Sequence, residues 1–265
     1  MGQLPHLSWQ AWYVVLPVHD LNPLRRTPWV TYALVAANVV VLLLTPASRD
    51  SVAGPSAQAQ LCSQTAFYDH YAAIPRELTT NHQLPQVAIG QPGPRLDTCY
   101  VSKPPYHKEP ALSVLFAMFL HAGWLHLLAN LLYLAVFGLP VEKRLGAAKF
   151  AILYIVSGLV GSLAYLLAQP ASDVPAVGAS GAIGGVIAAH LVLFPGATLG
   201  SLAPVLFFHV VESTPTLLLL LVWLATQLFS SVASLTTSTG IAWWAHVGGF
   251  ASGLALAPVL RRRRL

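Results

Sequence analysis

The fold class that this sequence predicts is an all-α membrane protein, a bundle of six transmembrane helices with both termini in the cytoplasm. Three observations predict it. Only 9% of the 265 residues are charged and 55% are hydrophobic, whereas a soluble domain usually carries about 25% charged residues. Several apolar runs approach the ~20 residues that a membrane-spanning helix needs. The basic residues also lie in clusters that fall on one face of such a bundle.

Six apolar runs are the predicted spans. In chain order they are Trp29 to Leu44, roughly Leu115 to Phe137, Phe150 to Leu167, Gly178 to Leu193, Leu217 to Val232, and Ile241 to Leu260. The ten-residue run Leu202 to Val211 is too short to span a bilayer, so we expect an interfacial or re-entrant lead into the fifth helix. The first residues lack a signal-peptide pattern, and we expect the first span to be retained.

Basic residues set the orientation, because Lys and Arg in short flanks stay on the cytoplasmic side. They precede the first span, separate the second from the third, and follow the sixth: Arg25, Arg26, Lys143, Arg144, Lys149 and Arg261 to Arg264. The short connections on the opposite face contain no Lys or Arg. The predicted organisation is a cytoplasmic segment 1–28, a first helix 29–46, an extracytoplasmic loop 47–110, a five-helix core 111–260 and a basic cytoplasmic tail 261–265. The net charge of +5 then reflects topology, and no nucleic-acid partner is expected.

The long loop after the first span is rich in Pro, Gln and Ser and holds both cysteines, Cys62 and Cys99. Disulfides persist outside the cytoplasm, so a bridge between these cysteines is one expectation and two free thiols is the other. A substrate-recognition cap and a disordered segment are both open interpretations of the loop itself.

Polar residues inside the predicted spans are the candidates for function, because ionisable groups in a membrane are costly. No Asp or Glu lies within any of the six runs, which argues against aspartyl-protease chemistry and a carboxylate proton relay. With alternating spans, the early residues of the second, fourth and sixth helices share an outer level. Four polar residues occupy that level: His126, Asn130, Ser180 and His246.

Ser180 and His246 predict a catalytic dyad. A serine hydroxyl needs an adjacent base to become a nucleophile, and a histidine can take its proton and return it to a leaving amine. Small residues recur beside both, at Gly181-x-x-x-Gly185 and Gly249-x-x-x-Gly253, and this spacing allows close helix approach. For the glycines alone, ordinary helix packing is a sufficient interpretation.

His126 and Asn130 predict an oxyanion site. They are four residues apart, so they share a helix face, and each can donate a side-chain hydrogen bond. A helix start at Ser180 adds free backbone N–H groups and a dipole end that favours negative charge. Together these groups describe peptide-bond hydrolysis inside a membrane.

At these residues the sequence resembles the rhomboid family of intramembrane serine proteases. The matching stretches, in the family's order, are HAGWLHLLANLLYL from His121, VEKRLG from Val141, GASG at Gly178 to Gly181, and AHVGGFASG from Ala245. The resemblance covers roughly Leu115 to Leu260.

The resemblance implies a six-helix core in which Ser180 attacks, His246 acts as base, and His126 and Asn130 contribute to the oxyanion hole. It implies a structural role for His121 and stabilisation of the cytoplasmic end of the second helix by Glu142 and Gly146. It also implies substrates that are single-pass membrane proteins in the bilayer, no cofactor and no metal. By analogy, the fifth helix, Leu217 to Val232, is the expected substrate gate.

Two departures from the family pattern are visible. Many members carry an aromatic residue four positions after the nucleophile, stacked on the catalytic histidine, where this chain has Gly184. We therefore expect another side chain, such as Trp243 or Trp244, to support His246. The Trp-Arg pair often seen in the first outer loop is absent from Ala111 to Leu120.

Two other functions compete with a protease. One is a non-catalytic rhomboid-like protein that escorts membrane proteins, against which the full set of site residues argues. The other is a metal site or transporter that uses His121, His126 and His246, weakened by the lack of nearby carboxylate or thiolate ligands. Low lysine content and the charge pattern favour a bacterial inner membrane, and a eukaryotic secretory-pathway membrane is the alternative.

Overall fold

The computed structural model of the chain describes residues 16–20, 27–48, 55–95, 98–203, 209–235 and 241–261. These residues are mostly helical. In chain order the elements are β1 (Leu16–Asp20), α1 (Trp29–Leu44), α2 (Pro55–Tyr71), α3 (Pro75–Thr80), β2 (Val87–Pro92), β3 (Cys99–Ser102), α4 (Pro110–Ala117), α5 (Trp124–Tyr133), α6 (Leu139–Leu145), α7 (Ala147–Ala168), α8 (Ser180–Leu193), β4 (Thr198–Ala203), β5 (His209–Pro215), α9 (Thr216–Ala233) and α10 (Trp243–Leu260). The all-α expectation holds for most of the chain but omits two small antiparallel sheets.

Among the described residues, three helical stretches are long and apolar enough to cross a membrane: Trp124–Leu145, Ala147–Ala168 and Thr216–Ala233. The predicted second span, Leu115 to Phe137, has the wrong bounds. Helix α4 ends at Ala117, tight turns from Phe119 N to Phe116 O and from Leu120 N to Ala117 O follow, and helix resumes at Trp124. The helix then continues through a π-helical turn, Leu134–Gly138, to Leu145. Apolar composition is continuous across this break, so hydropathy alone cannot mark it.

Glu142 lies inside the stretch Trp124–Leu145, which corrects the expectation that no carboxylate lies within a span. Its carboxylate accepts hydrogen bonds from Val30 N at 2.9 Å, Thr31 N at 2.6 Å and the Thr31 hydroxyl at 2.7 Å. Two of these donors are free backbone N–H groups at the start of α1, where the helix dipole also favours a negative charge. Glu142 therefore ties the first helix to the second. Gly146 ends α6 at a φ of +87°, a backbone region in which side chains are strained.

Helices α8 and α10 approach so closely that glycine is required at their contact. A Cβ on Gly249 would overlap the carbonyl oxygen of Gly181, and a Cβ on Gly253 would overlap that of Gly185. Both predicted glycine pairs thus lie on facing surfaces of the same two helices. This packing brings the N-terminal ends of α8 and α10 together.

The described part of the long loop folds as a compact unit, residues 55–95 and 98–109, which we call the cap. A disulfide between Cys62 and Cys99 joins α2 to β3. The buried Lys108 ammonium donates to the carbonyl oxygens of Asp69 and Ala72, and it pairs with Glu77 at 2.6 Å. The described residues of this loop are ordered, which argues against the disordered interpretation, and substrate recognition by the cap stays a prediction.

A three-stranded antiparallel sheet with the order β1-β4-β5 lies between the end of α8 and the start of α9. Leu16 pairs with Leu202, and Thr198 pairs with Pro215. The described part of the run Leu202 to Val211 is therefore strand, and β5 leads directly into α9. An interfacial or re-entrant location for this segment stays a prediction. Of the predicted basic flanks, Arg25, Arg26 and Arg262 to Arg264 lie outside the described residues.

Candidate active site

Ser180 is the first residue of α8, and the backbone that leads to it is held from two sides. Gly178 adopts a φ of +121° and its N–H donates to Ala117 O at 2.9 Å. The N–H of Ala176 donates to Ala73 O of the cap at 2.8 Å. The requirement for glycine at position 178 thus follows from its backbone conformation, which is strained in any residue with a Cβ. The serine is fixed at a helix start beside the cap.

His246 lies in the first turn of α10 and faces Ser180. The distance between Ser180 Oγ and His246 Nε2 is 2.7 Å, a short hydrogen bond. Sequence reasoning predicted that these two side chains share a depth, and the structure brings them into direct contact. Gly181 allows this close approach of the two helices. A Cβ at that position would lie 3.3 Å from the carbonyl oxygen of Ala245, which precedes the histidine.

Gln227 was missed in the sequence analysis, yet it contacts the other side of the imidazole. Its Oε1 lies 2.7 Å from His246 Nδ1. The residue is on α9 and 7% exposed, inside a helix that is otherwise strongly apolar. A side-chain amide within an apolar span is the signal that could have found it.

The orientation of the Gln227 amide follows from its other contacts. Its Nε2 donates to Trp223 O at 3.2 Å and to the Thr226 hydroxyl at 3.0 Å. Since both partners are acceptors, the amide oxygen faces His246 and accepts a proton held on Nδ1. In that tautomer Nε2 carries a free lone pair, which accepts from the Ser180 hydroxyl. Nε2 is therefore the basic nitrogen.

Two indoles flank the His246 ring. Trp243, one of the two residues expected to support it, meets the ring edge-on at a centroid distance of 5.6 Å. Trp223, which sequence reasoning did not single out, lies more nearly parallel at 6.4 Å. The imidazole is thus held by an amide and two indoles from α9 and α10, without an aromatic residue on α8.

His126 lies close to Gly178 and lines the same cavity as the serine. Its Nδ1 accepts a hydrogen bond from Ala122 N at 3.3 Å, so the neutral ring carries its proton on Nε2. A Cβ built on Gly178 would lie 2.9 Å from that Nε2 and 3.6 Å from Ser180 Oγ. The N–H donor of His126 and the serine oxygen thus both lie within 4 Å of one point beside Gly178, and both residues line the same cavity.

Asn130 is one helical turn beyond His126 and is 6% exposed. Its Nδ2 donates to His126 O at 2.9 Å, which uses one of the two amide protons. His121 lies in the loop before α5, where its ring packs against His126 at 5.1 Å and its carbonyl accepts from the Tyr68 hydroxyl at 2.8 Å. Burial, with the nearby His126, lowers the pKa of His121 to about 4, so the ring is neutral at physiological pH.

An open cavity of about 660 Å³ adjoins the serine and histidine. Its size is in the range of ligand pockets, and its lining is mostly apolar with a few polar groups. The polar groups include Ser180, His246, His126, Asn130 and Gln227, and the apolar walls include Trp124, Tyr133, Ile187 and Trp223. All four predicted chemical residues thus face one cavity.

Within the described ranges, no three His, Cys, Asp or Glu side chains are grouped so that they could hold a metal ion. His121 and His126 are neighbours, whereas both ring nitrogens of His246 are engaged by Ser180 and Gln227.

Comparison with known families gives a match to the Rhomboid domain over residues 108–263. The chain is 35% identical over 146 residues to RHOMBOID-like protein 5 of Arabidopsis thaliana, covering 55% of this chain and 43% of the relative. It is 39% identical over 85 residues to RHOMBOID-like protein 7 of the same plant, covering 32% of this chain and 26% of the relative. It is 42% identical over 79 residues to Rhomboid-like protease 3 of Toxoplasma gondii, covering 28% and 29%.

The alignment thus spans less than half the length of these relatives. A further relative, 40% identical over 83 residues, comes from Bacillus subtilis (strain 168). The spread of organisms does not select the expected bacterial inner membrane.

Proposed function

Because the chain belongs to the rhomboid family, we propose that it is an intramembrane serine endopeptidase in which Ser180 is the nucleophile and His246 the base. The observation that carries the proposal is the 2.7 Å contact between Ser180 Oγ and His246 Nε2, beside an apolar cavity. A packing serine needs no such partner. The tautomer assigned to His246 leaves Nε2 free to take the hydroxyl proton.

The reaction proceeds in two proton-balanced stages, acylation of Ser180 and hydrolysis of the acyl-enzyme. The Ser180 proton passes to His246 Nε2 as Oγ bonds to the scissile carbonyl carbon, and the resulting tetrahedral intermediate carries a negative oxygen. The carbon–nitrogen bond then breaks and the leaving amine takes the proton from Nε2. Water, activated by the same nitrogen, hydrolyses the acyl-enzyme and restores the hydroxyl.

The negative oxygen of that intermediate needs donors, and three are near. We assign this role to the Nε2 proton of His126, an amide proton of Asn130 and the free backbone N–H groups at the start of α8. The closeness of His126 Nε2 and Ser180 Oγ to one point beside Gly178 supports this assignment. The second amide proton of Asn130 remains available because one bond, to His126 O, uses only the first.

We further propose six membrane spans with both termini on the cytoplasmic side. Three contacts support a common end for the predicted cytoplasmic segments. Strand β1 pairs with β4, Glu142 binds the start of α1, and Lys149 Nζ donates to Leu260 O at 2.7 Å. The proposed dyad and the cap lie at the opposite end of the same helices. Because Lys143, Arg144 and Lys149 belong to the first end, the positive-inside rule makes it cytoplasmic.

The proposed substrates are single-pass transmembrane proteins cleaved near the outer membrane face. The mostly apolar walls of the cavity, with a few polar groups that include the serine, support an apolar peptide segment as the ligand. The protein is an integral membrane protein, and the bacterial inner membrane remains a proposal from the charge pattern alone.

The test uses purified protein in liposomes with a single-pass substrate. We expect cleavage by the wild type and its loss in both Ser180→Ala and His246→Ala. Undiminished cleavage in either variant would refute the dyad. A fluorophosphonate probe separates a protease from a non-catalytic escort protein, because only an activated serine is labelled. Absence of labelling at Ser180 in folded protein would favour the escort function.

A further inference from the structure

Gln227 is the point at which α9 contacts the proposed catalytic base. Resting on the proposed function, we propose that Gln227 is the positioning residue of the dyad, and that α9, which carries it, keeps His246 competent only while α9 packs against α10. The serine and the histidine lie on α8 and α10, so a third helix decides the orientation of the base.

The hydrogen bonds of His246 support the first part of the proposal, that Gln227 positions the base. Its Nε2 is 2.7 Å from Ser180 Oγ and its Nδ1 is 2.7 Å from Gln227 Oε1. An imidazole without a partner on Nδ1 can rotate or shift its proton to Nε2, and Nε2 would then no longer accept from serine. During the reaction the Nδ1 proton stays on the histidine and continues to donate to Gln227, while only the serine proton moves.

The partner is a neutral amide. Both ring nitrogens of His246 are occupied, so no carboxylate among the described residues hydrogen-bonds this ring. An amide oxygen orients the ring as a carboxylate does, but it stabilises the imidazolium less strongly. Gln227 can fix the tautomer because its own amide is fixed by Trp223 O and the Thr226 hydroxyl.

The placement of α9 supports the second part of the proposal, that His246 depends on the packing of this helix. Only 22% of the residues of α9 are buried, against 39% of the most apolar stretch of α7. The buried residues, Thr216, Leu220, Gln227 and Ser231, lie on one face of the helix, and Gln227 is the one that reaches the base. A hydrogen bond of 2.7 Å is lost if the two helices separate by about 1 Å. Any outward movement of α9 therefore releases His246.

The first experiment compares three variants of the full chain in liposomes. Gln227→Met keeps the length but removes the acceptor, Gln227→Glu keeps an acceptor and adds charge, and Leu228→Ala alters the neighbouring exposed residue as the control. The readouts are kcat, KM, the pH profile of kcat/KM and the thermal unfolding midpoint.

We expect Gln227→Met to lower kcat by about 10-fold to 100-fold with KM changed less than twofold and the unfolding midpoint retained. Gln227→Glu should restore most of kcat and move the acid limb of the pH profile to higher pH, because a carboxylate stabilises the imidazolium. His126, whose protonation at low pH would also act on His246, is unchanged in both variants. A residue that only stabilises the fold would not move that limb. Wild-type kcat in Gln227→Met, or a pH profile that does not move in Gln227→Glu, would overturn the positioning role.

The second experiment tests the dependence on α9. Leu220 is 2% exposed on the packed face of α9, two turns from Gln227, whereas Leu221 is 53% exposed. We expect Leu220→Ala to slow fluorophosphonate labelling of Ser180 several-fold, although position 220 lies about 10 Å along the helix from Gln227. Leu221→Ala should leave the labelling rate unchanged. Equal labelling rates in the two variants would refute the dependence on α9.

A third measurement does not depend on proteolysis. The nitrogen-15 chemical shifts of His246, assigned with a His246→Ala variant, report which ring nitrogen carries the proton. A proton on Nδ1 in the wild type, lost or mixed in Gln227→Met, supports the positioning role even if no substrate is cut. The same tautomer in both proteins contradicts it. Failure of the proposed function appears instead as unlabelled Ser180 in the wild type.

Discussion

The Cβ that Gly184 lacks would lie 2.9 Å from the carbonyl oxygen of His246 and 3.4 Å from Phe250 N. At this position many rhomboids have an aromatic residue stacked on the histidine. In this chain α8 and α10 are too close for one, and the imidazole is supported by Gln227, Trp223 and Trp243 from the opposite side. The missing aromatic is thus compensated by α9 and α10.

This contact predicts that Gly184→Ala separates α8 from α10 and weakens the proposed dyad. We expect kcat to fall about 10-fold, and the added methyl to cost about 1–3 kcal/mol of stability as overpacking does elsewhere. Cleavage rates and unfolding midpoints in detergent measure both effects. Gly196→Ala is the matched control, because nothing lies within 4 Å of a Cβ at Gly196. Wild-type rates in Gly184→Ala would show that the helices yield without moving the base.

Glu142 gives a second prediction, on stability. Glu142→Ala removes three hydrogen bonds to the start of α1 and leaves one buried and one partly buried backbone donor without their acceptor. We expect a loss of about 2–4 kcal/mol, since bonds to a charged acceptor are stronger than neutral ones. Denaturation in mixed detergent micelles measures it, with the exposed Glu109→Ala as control. Equal stability of the two variants would contradict a capping role.

Reduction of the disulfide is the third prediction. The bridge closes a loop across a sequence separation of 37, for which the chain-entropy relation gives about 3–4 kcal/mol. A loosened cap also weakens the bond from Ala176 N to Ala73 O that holds the loop before Ser180. We expect reductant to lower both the unfolding midpoint and the cleavage rate of the wild type. The double variant Cys62→Ser, Cys99→Ser should have low values that reductant does not change.

His121 predicts a pH dependence of stability. Burial holds its pKa at about 4 in the folded protein, below the usual 6.5, and the side chain is 0% exposed. The unfolded chain therefore binds the extra proton first, so stability is unaffected above pH 6.5 and falls as the pH drops from 6.5 towards 4. Each pH unit in this window costs about 1 kcal/mol.

The measurement compares unfolding midpoints at pH 7 and pH 5 for the wild type and His121→Asn. Asparagine can still donate to Phe119 O, the partner of the His121 ring, but does not titrate. The variant should lose less stability between the two pH values than the wild type. An identical loss in both proteins would assign the effect to other groups, of which His126 is the nearest.

The sequence located much of the site because depth along a helix can be counted. A rise of about 1.5 Å per residue puts Ser180 and His246 at one level, and the glycine spacing puts them on facing surfaces. The same counting placed His126 and Asn130 on one face of α5. Counting along the helices did not find Gln227. Its contact with His246 depends on how α9 is rotated and tilted against α10, and the spacing of residues within α9 does not specify that packing.

The bounds of the helices and strands could not be predicted from the sequence for a different reason. The break between α4 and α5 lies within an unbroken apolar run, and β4 and β5 owe their hydrogen bonds to partners distant in the chain. A strand in such a place is specified by pairing, as Leu16 with Leu202 and Thr198 with Pro215 illustrate. Hydropathy reports the environment of a segment and says little about its partner.

By itself the sequence determined the class of protein and four residues that line one cavity, because these follow from composition, charge placement and helical periodicity. Its six spans stay a prediction. Only the tertiary structure decided the rest: the order of the cap, the capping of α1 by Glu142, and the contact of Gln227 with His246. The physical reason is that hydrogen bonds require alignment within tenths of an ångström. Such alignment is set by the packing of whole helices, and packing joins residues that are remote in the chain.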